Sequence, residues 1–411
     1  MTNIKPGING LGRIGKLTLW YHVANCTFKE IVINVGREAG KTVHDIARYI
    51  ETDSTYGTLQ RYLYGFKEGK TIEKIDESKG TIEINGTKIE ILRKTRNPAE
   101  IGWANHDVEL VMDTTGKFLD PTLAPDNKKG SLQGHLASGA KKVIASAPFK
   151  IKDKSLRMPD EAVTIIMGIN ESDYDPQRHN LISSASCTTI CLAHMIKPIL
   201  DEFDAKRILT ASMATVHAAT GSQEVLDRLP KEGDKDLRKN RSILNNIILT
   251  TTGAADTLGL VLPQMKSIGF MAESVRIPTT TGSLVILILN IQEEGERITI
   301  NKEVINAIYE KAASDNPYLL FTDEQNVSSD IIALPRAAAI IEGHETHTRS
   351  AEITIDIDRV LGIDKDTISK LKDKIIKVPL TQVVVYGWYD NELGEFTYMF
   401  SELMDMIAKS M

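Results

Sequence analysis

The octapeptide INGLGRIG, residues 8–15, constrains the fold of this chain more than any other stretch. It places Gly10, Gly12 and Gly15 in G-x-G-x-x-G spacing between a strand-like run, IKPGING, and a helix-like run, RIGKLTLWYHVAN. A second apolar run, EIVINVG, completes a βαβ pattern. The first glycine permits a tight turn, the second brings backbone close to a pyrophosphate, and the third lets the helix pack on the strand. Amides at the helix start, with its partial positive charge, suit phosphate oxygens. In this context the spacing predicts a dinucleotide-binding turn in a parallel sheet. Pro6 in the leading strand is a blemish, because it removes a ladder donor.

A carboxylate about twenty residues further on would hold the adenine ribose of NAD. Val35 stands where that acid is expected, and Arg37 follows it. Losing the carboxylate removes the repulsion of a 2′-phosphate, and Arg37 could attract one, so the reading leans to NADP or to use of both cofactors. The alternative is that Arg37 is solvated and Glu38 takes the ribose from a shifted register.

The segment GTIEINGTKIEILR interrupts the α/β alternation. Asn85-Gly86 between alternating apolar residues predicts a hairpin, since both turn positions need positive φ. The pattern resumes at VELVMDTTG and AKKVIASAP. Apolar residues from Ile190 to Phe203 form a helical stripe, which Pro198 should kink or loosen. Beyond about residue 205, runs such as RILTASMATVHA, AESVRIPTTTGSLVILILNI and LTQVVVYGWYD predict a second, antiparallel-rich region. An amphipathic helix, GEFTYMFSELMDMIAKSM, ends the chain.

A net charge of −6 leaves no electrostatic footprint for nucleic acid. The start lacks the regions of a signal peptide, and SLVILILNI is too short to span a bilayer, so no membrane partner is expected. Three cysteines cannot build a disulfide framework, and a reduced cytoplasmic setting follows. Such a setting makes SSASCTTICLAH, residues 183–194, informative. Cys187 falls at a helix start, where amides and dipole lower a thiol pKa and supply an oxyanion donor. His217, thirty residues on in ATVHAATGSQ, is the candidate base. Cys191 reads as a packed helix residue, and HETH at 344–347 lacks the i, i+4 histidines of a metalloprotease helix, so no metal is expected. RLPKEGDKDLRKNR reads from composition as an exposed loop.

The ordered blocks INGLGRIG, SSASCTT.C, TVHA.TG, TTTGAA...GLVLP and WYDNE.G resemble phosphorylating glyceraldehyde-3-phosphate dehydrogenases over nearly the whole chain. The resemblance implies an N-terminal Rossmann domain over 1–186, with residues 392–411 packing back on it. An α+β catalytic domain with a largely antiparallel sheet then spans 187–391. It implies Cys187 as nucleophile and His217 as base. Thr220 and Arg276 would hold the phosphate of glyceraldehyde 3-phosphate, and Ser186, Thr188, Thr252 and Gly253 the attacking inorganic phosphate. Gly10, Gly12, Arg13, Ile14, Gly15, Arg37, Arg96, Thr115 and Gly116 would line the cofactor site, with Asn391 orienting the nicotinamide carboxamide. The charged loop at 228–241 would lie in the interface of a homotetramer. Ser184, Ile190, His194, Ala219, Lys239 and Glu395 depart from the family pattern, as do extra residues in 60–100, 117–180 and after Ser329. An erythrose-4-phosphate dehydrogenase and a non-catalytic nucleotide-binding relative are the competing readings.

Overall fold

In a computed structural model, which describes residues 4–93, 95–295 and 297–411, the early apolar runs become neighbouring strands. A nine-stranded sheet runs in the order 162–164, 181–183, 142–145, 108–113, 5–9, 30–34, 87–92, 81–84, 72–76. The first seven strands are parallel; the last two join antiparallel as a meander. The chain leaves Lys5–Asn9 towards one edge and returns to Val108–Asp113 on the other side of it. The topological switch point therefore lies between these two strands, where an open α/β sheet leaves a crevice. Ladder register shifts between Lys5 and Pro6, at the residue with no N–H to donate.

The hairpin forms where expected. Asn85 and Gly86 both have positive φ, 48° and 74°, and Ile84 pairs with Thr87. The hairpin adds the insertion around residues 72–92 to the sheet edge, where it does not disturb the crevice.

The second sheet has eight strands. Seven follow the order 248–250, 269–277, 208–218, 283–292, 375–389, 339–342, 319–322, and 347–356 pairs with the outer half of 375–389. Most pairings are antiparallel; 208–218 with 269–277 and 319–322 with 339–342 are parallel. Between the sheets lies the helix Cys187–Glu202, which continues through Pro198. Its core face includes Ile190, Cys191, Met195 and Ile199, all buried. The chain closes with one π-helical turn, Leu393–Thr397, and the helix Tyr398–Ser410, which packs on Arg13–Ala24 of the first domain. Among the described residues no helix is long and apolar enough to cross a membrane.

Gly86 has open space where a Cβ would stand, so its demand is purely conformational. Gly86→Ala should cost about 1 kcal/mol, the left-handed penalty for a residue with a Cβ. A lowered urea midpoint with unchanged slope would show it.

Candidate active site

At the sheet switch point Gly10 adopts φ +101°, and a Cβ on Gly15 would stand 2.0 Å from the Gly10 carbonyl oxygen. The turn thus tolerates no side chain at Gly15. Gly12 precedes the first residue of the helix Arg13–Ala24, and its own Cβ would meet nothing. That open face and the free amides of the first helical turn fit a pyrophosphate. The crevice above is lined by Gly10, Gly12, Val35, Arg37, Arg96 and Thr115 among the expected residues. Gly116, at φ +63°, turns the chain beside Thr115. Lys117, Lys128, Lys129, Lys150 and Lys152, from the extended loops after residue 117, add positive charge to the same rim. Glu38 is not among the lining residues and pairs with Arg93 at 3.6 Å.

Arg13 does not offer its side chain to this crevice. Its guanidinium bridges Asp53 and Glu392, with Nε to Glu392 Oε2 at 3.1 Å, and stacks over Tyr56. Only its backbone, at the helix start beside Ile14, is placed for phosphate. Burial alone would raise the Asp53 carboxyl, but hydrogen bonds from Arg13, Lys16 and the Thr55 and Tyr56 amides hold it well below the usual carboxylate range.

Beneath the crevice is a buried polar network that the motif reading missed. Asn34 donates to Asn9 Oδ1 at 2.8 Å, and Asn9 donates to Asp113 at 2.7 Å. Trp103 donates to His135 Nδ1 at 2.9 Å, so the His135 hydrogen sits on Nε2 and points at Asp113, 3.1 Å away. The other Asp113 oxygen takes the Thr115 hydroxyl at 2.7 Å. The signal was present: a polar residue closes each apolar run in IKPGIN, EIVIN and VELVMD.

The second centre forms where the two sheets meet. Ala185, fully buried at φ +59°, makes a left-handed bend just before the helix that starts with Cys187. A residue with a Cβ rarely holds that conformation, and such bends concentrate at functional sites. Ser186 caps the helix by accepting from the Thr189 amide. Cys187 Sγ lies 3.4 Å from His217 Nε2. His217 is second to last in the strand Ile208–Ala218, and Arg276 sits directly across from it on the parallel neighbour. The Arg276 guanidinium therefore contacts His217 Nδ1 and donates to the Ala218 carbonyl at 3.0 Å.

Several predicted phosphate ligands stand differently. The Thr188 hydroxyl is buried against Tyr389 OH at 3.0 Å, and that hydroxyl also meets Thr215 at 2.8 Å. Thr188 thus supports the pair from behind. Thr220 bonds Gln223 and Ser222 in its own turn. Thr252 and Gly253 precede the helix Ala254–Val261, which packs on the Cys187 helix. Arg241 pairs with Asp227 in the exposed loop.

Asn391 lies two residues past Tyr389, the last residue of the strand 375–389, whose hydroxyl meets Thr188 beside Cys187. Its Oδ1 accepts from Ser283 at 2.9 Å and Thr281 at 3.2 Å, which leaves the buried Nδ2 without a partner among the described residues. An oriented, unsatisfied amide donor fits a carboxamide oxygen of a nicotinamide. Glu395, in the π-helical turn, is fully buried.

These surroundings set the protonation of the pair. Cys187 keeps some exposed surface, yet burial and Glu395 push its thiol up to about 12, against the opposing pull of Arg276 and Thr188. Burial and Arg276 push His217 down to about 3, with the Ala218 carbonyl opposing. The free pair is therefore thiol and neutral imidazole at pH 7. Cys191, buried against Met195 and the Gly387 carbonyl, is packing.

The fold and this site define a class: two-domain oxidoreductases that bind a nicotinamide dinucleotide beside a cysteine. A family model described as "Glyceraldehyde 3-phosphate dehydrogenase, NAD binding domain" matches residues 4–121, and the C-terminal domain of the same family matches 186–357. The glyceraldehyde-3-phosphate dehydrogenase 2 of Streptomyces avermitilis is 34% identical over 394 residues, covering 95% of both chains. The glyceraldehyde-3-phosphate dehydrogenase 2 of Bacillus subtilis is 32% identical, covering 95% of this chain and 93% of its own. The chain belongs to the glyceraldehyde 3-phosphate dehydrogenase family.

Because the free thiol is held high, alkylation of Cys187 by iodoacetamide should keep rising with pH beyond about pH 10, where an ordinary thiol with a pKa near 8.5 has already levelled off. Mass spectrometry of the Cys187 peptide separates it from Cys26. A plateau below pH 8 would contradict the neutral pair.

Proposed function

We propose that the protein oxidises glyceraldehyde 3-phosphate, with inorganic phosphate, to 1,3-bisphosphoglycerate through a covalent bond to Cys187. The observation that carries this reading is the 3.4 Å contact of Cys187 Sγ with His217 Nε2, with Arg276 on the opposite ring nitrogen.

Arg276 always carries its protons, so its contact with Nδ1 needs the lone pair there, which puts the ring hydrogen on Nε2. The imidazole then cannot take the thiol proton. The substrate's phosphate draws Arg276 towards itself, as a guanidinium forks onto phosphate oxygens. Nδ1–H can then donate to the Ala218 carbonyl, 2.8 Å away, and Nε2 becomes the base. His217 takes the Cys187 proton, and the sulfur adds to the aldehyde carbon as a thiohemiacetal. Imidazolium, facing the new oxyanion beside the Cys187 amide, gives it that proton and returns to neutral. Neutral His217 next accepts the hydroxyl proton as the carbon becomes a thioester. A bound nicotinamide supplies the hydride acceptor for that oxidation, and Asn391 and the Gly10–Gly15 turn would hold it. Inorganic phosphate then attacks the thioester carbon and expels the Cys187 thiolate, which preserves the oxidation energy in an acyl phosphate.

NADP or dual use is the cofactor reading that the crevice supports. Arg37 lines it, Glu38 does not, and the lysine rim favours the more anionic dinucleotide. A homotetramer is supported by apolar side chains left exposed around the charged loop, Leu226, Leu229, Leu237 and Ile247 among them.

Cys187→Ser should lower turnover by about 10⁴-fold or more, because the nucleophile and base act as one unit. His217→Asn should lower it by about 10³-fold. Reduced-cofactor absorbance with substrate and phosphate checks both, and retained turnover in Cys187→Ser would exclude the covalent route. Arg37→Ala should weaken NADP about tenfold, the worth of one charge-assisted phosphate contact, and leave NAD within about twofold. Equal losses for both cofactors would remove the argument for NADP.

A further inference from the structure

Glu395 is the residue that the mechanism leaves unused. Its side chain is fully buried, and neither carboxyl oxygen has a hydrogen-bond partner among the described residues. Its π-helical turn follows Asn391 and packs on both the Arg13–Ala24 helix and the Cys187 helix. Charge on it is felt at Cys187 and at Cys191.

Among the described residues, no cationic side chain pairs with it. From the first helix, Arg13 and Lys16 are committed to Asp53 and Glu392, and His22 is buried and held neutral. From the closing helix the charged groups are Glu402, Asp405 and Lys409; Lys409 is exposed in the last turn, and its charge is felt at Asp405 and not at Glu395. Asp390, the nearest acid, already accepts from Tyr56, Thr281 and backbone amides and only adds repulsion. Across the thiol, Arg276 is engaged with His217 and the Ala218 carbonyl. A buried carboxyl in such a place stays neutral until a cation arrives. The cation that the unsatisfied Asn391 amide would bring beside this turn is the oxidised nicotinamide ring; the reduced ring is neutral.

We propose that Glu395 sets the preference between oxidised and reduced cofactor, standing as the counter-charge to the oxidised ring and as a neutral acid beside the reduced one. This rests on the cofactor placement proposed above. Binding of the oxidised dinucleotide then drives the Glu395 proton into solvent, and the carboxylate takes a proton back once the ring is reduced. Burial and Asp390 hold the carboxyl well above the usual carboxylate range beforehand, so that proton is present to be lost at neutral pH.

The test is calorimetric binding of NAD⁺, NADH and their 2′-phosphorylated forms to the full chain, in two buffers of different ionisation enthalpy. The wild type should release close to one proton with the oxidised form and none with the reduced form. Glu395→Gln should abolish the release and weaken oxidised relative to reduced cofactor by about tenfold or more, the equivalent of at least one pKa unit. An unchanged affinity ratio overturns the proposal. So does release that persists in Glu395→Gln and vanishes in Cys187→Ser, which assigns the proton to the thiol. If Glu395→Gln does not fold, absence of release in the wild type still overturns it. A wild type that binds neither form overturns the cofactor placement itself, and this inference with it.

Discussion

The carboxylate of Asp390 is the joint on which the site depends. It is 1% exposed and directly follows the long strand of the second sheet. Oδ1 accepts from Tyr56 at 2.7 Å, from Thr281 and from the Glu392 amide; Oδ2 accepts from the Ala333 and Gly394 amides. Tyr56 belongs to the first domain, Thr281 to the second, and Ala333 to the extended segment after Ser329. One buried anion thus ties three parts of the chain together and sets Asn391 on one side and the π-helical turn on the other. Fully satisfied, a buried polar hub of this kind specifies one arrangement; with a donor lost, each orphaned group costs about 1–3 kcal/mol. The Arg13 bridge between Asp53 and Glu392 reinforces the same junction from the crevice side.

The residues that depart from the family around Cys187 divide by their surroundings. Ile190 packs in the core, Ser184 donates to the Ala145 carbonyl, and His194 bonds back to the Ile190 carbonyl within its own helix. Each is accommodated locally and leaves the thiol–imidazole geometry alone. Glu395 is different in kind, because it is a fully buried carboxyl with no hydrogen-bond partner among the described residues, and its charge is felt at Cys187. Electrostatics in low dielectric reach further than packing does, so among these departures Glu395 is the one whose charge reaches Cys187.

Much of the scaffold was legible. Glycine spacing announced the first turn, and Asn85-Gly86 the hairpin. These features work through the residues' own backbone preferences, which neighbours in sequence reveal. The buried network of Asn9, Asn34, Asp113 and His135 was not legible as a network, because its members lie on four separate elements. Nor did the motif pattern show that the Arg13 side chain turns to carboxylates, or that Thr188 faces Tyr389. Both directions follow from what lies across the domain junction.

The sequence by itself determined the dinucleotide turn, the parallel first domain, the strand-rich second region and the identity of the reactive pair as two candidates thirty residues apart. Only the tertiary structure decided that the pair meets. His217 reaches Cys187 because its strand ends against the Cys187 helix, and Arg276 reaches His217 because two strands far apart in sequence lie parallel and in register. Local conformation is written in adjacent residues; proximity across a sheet depends on strand order, which no short stretch of chain contains. The burial of Glu395 has the same origin, since a glutamate in a closing segment is ordinarily solvated until a domain interface shuts over it.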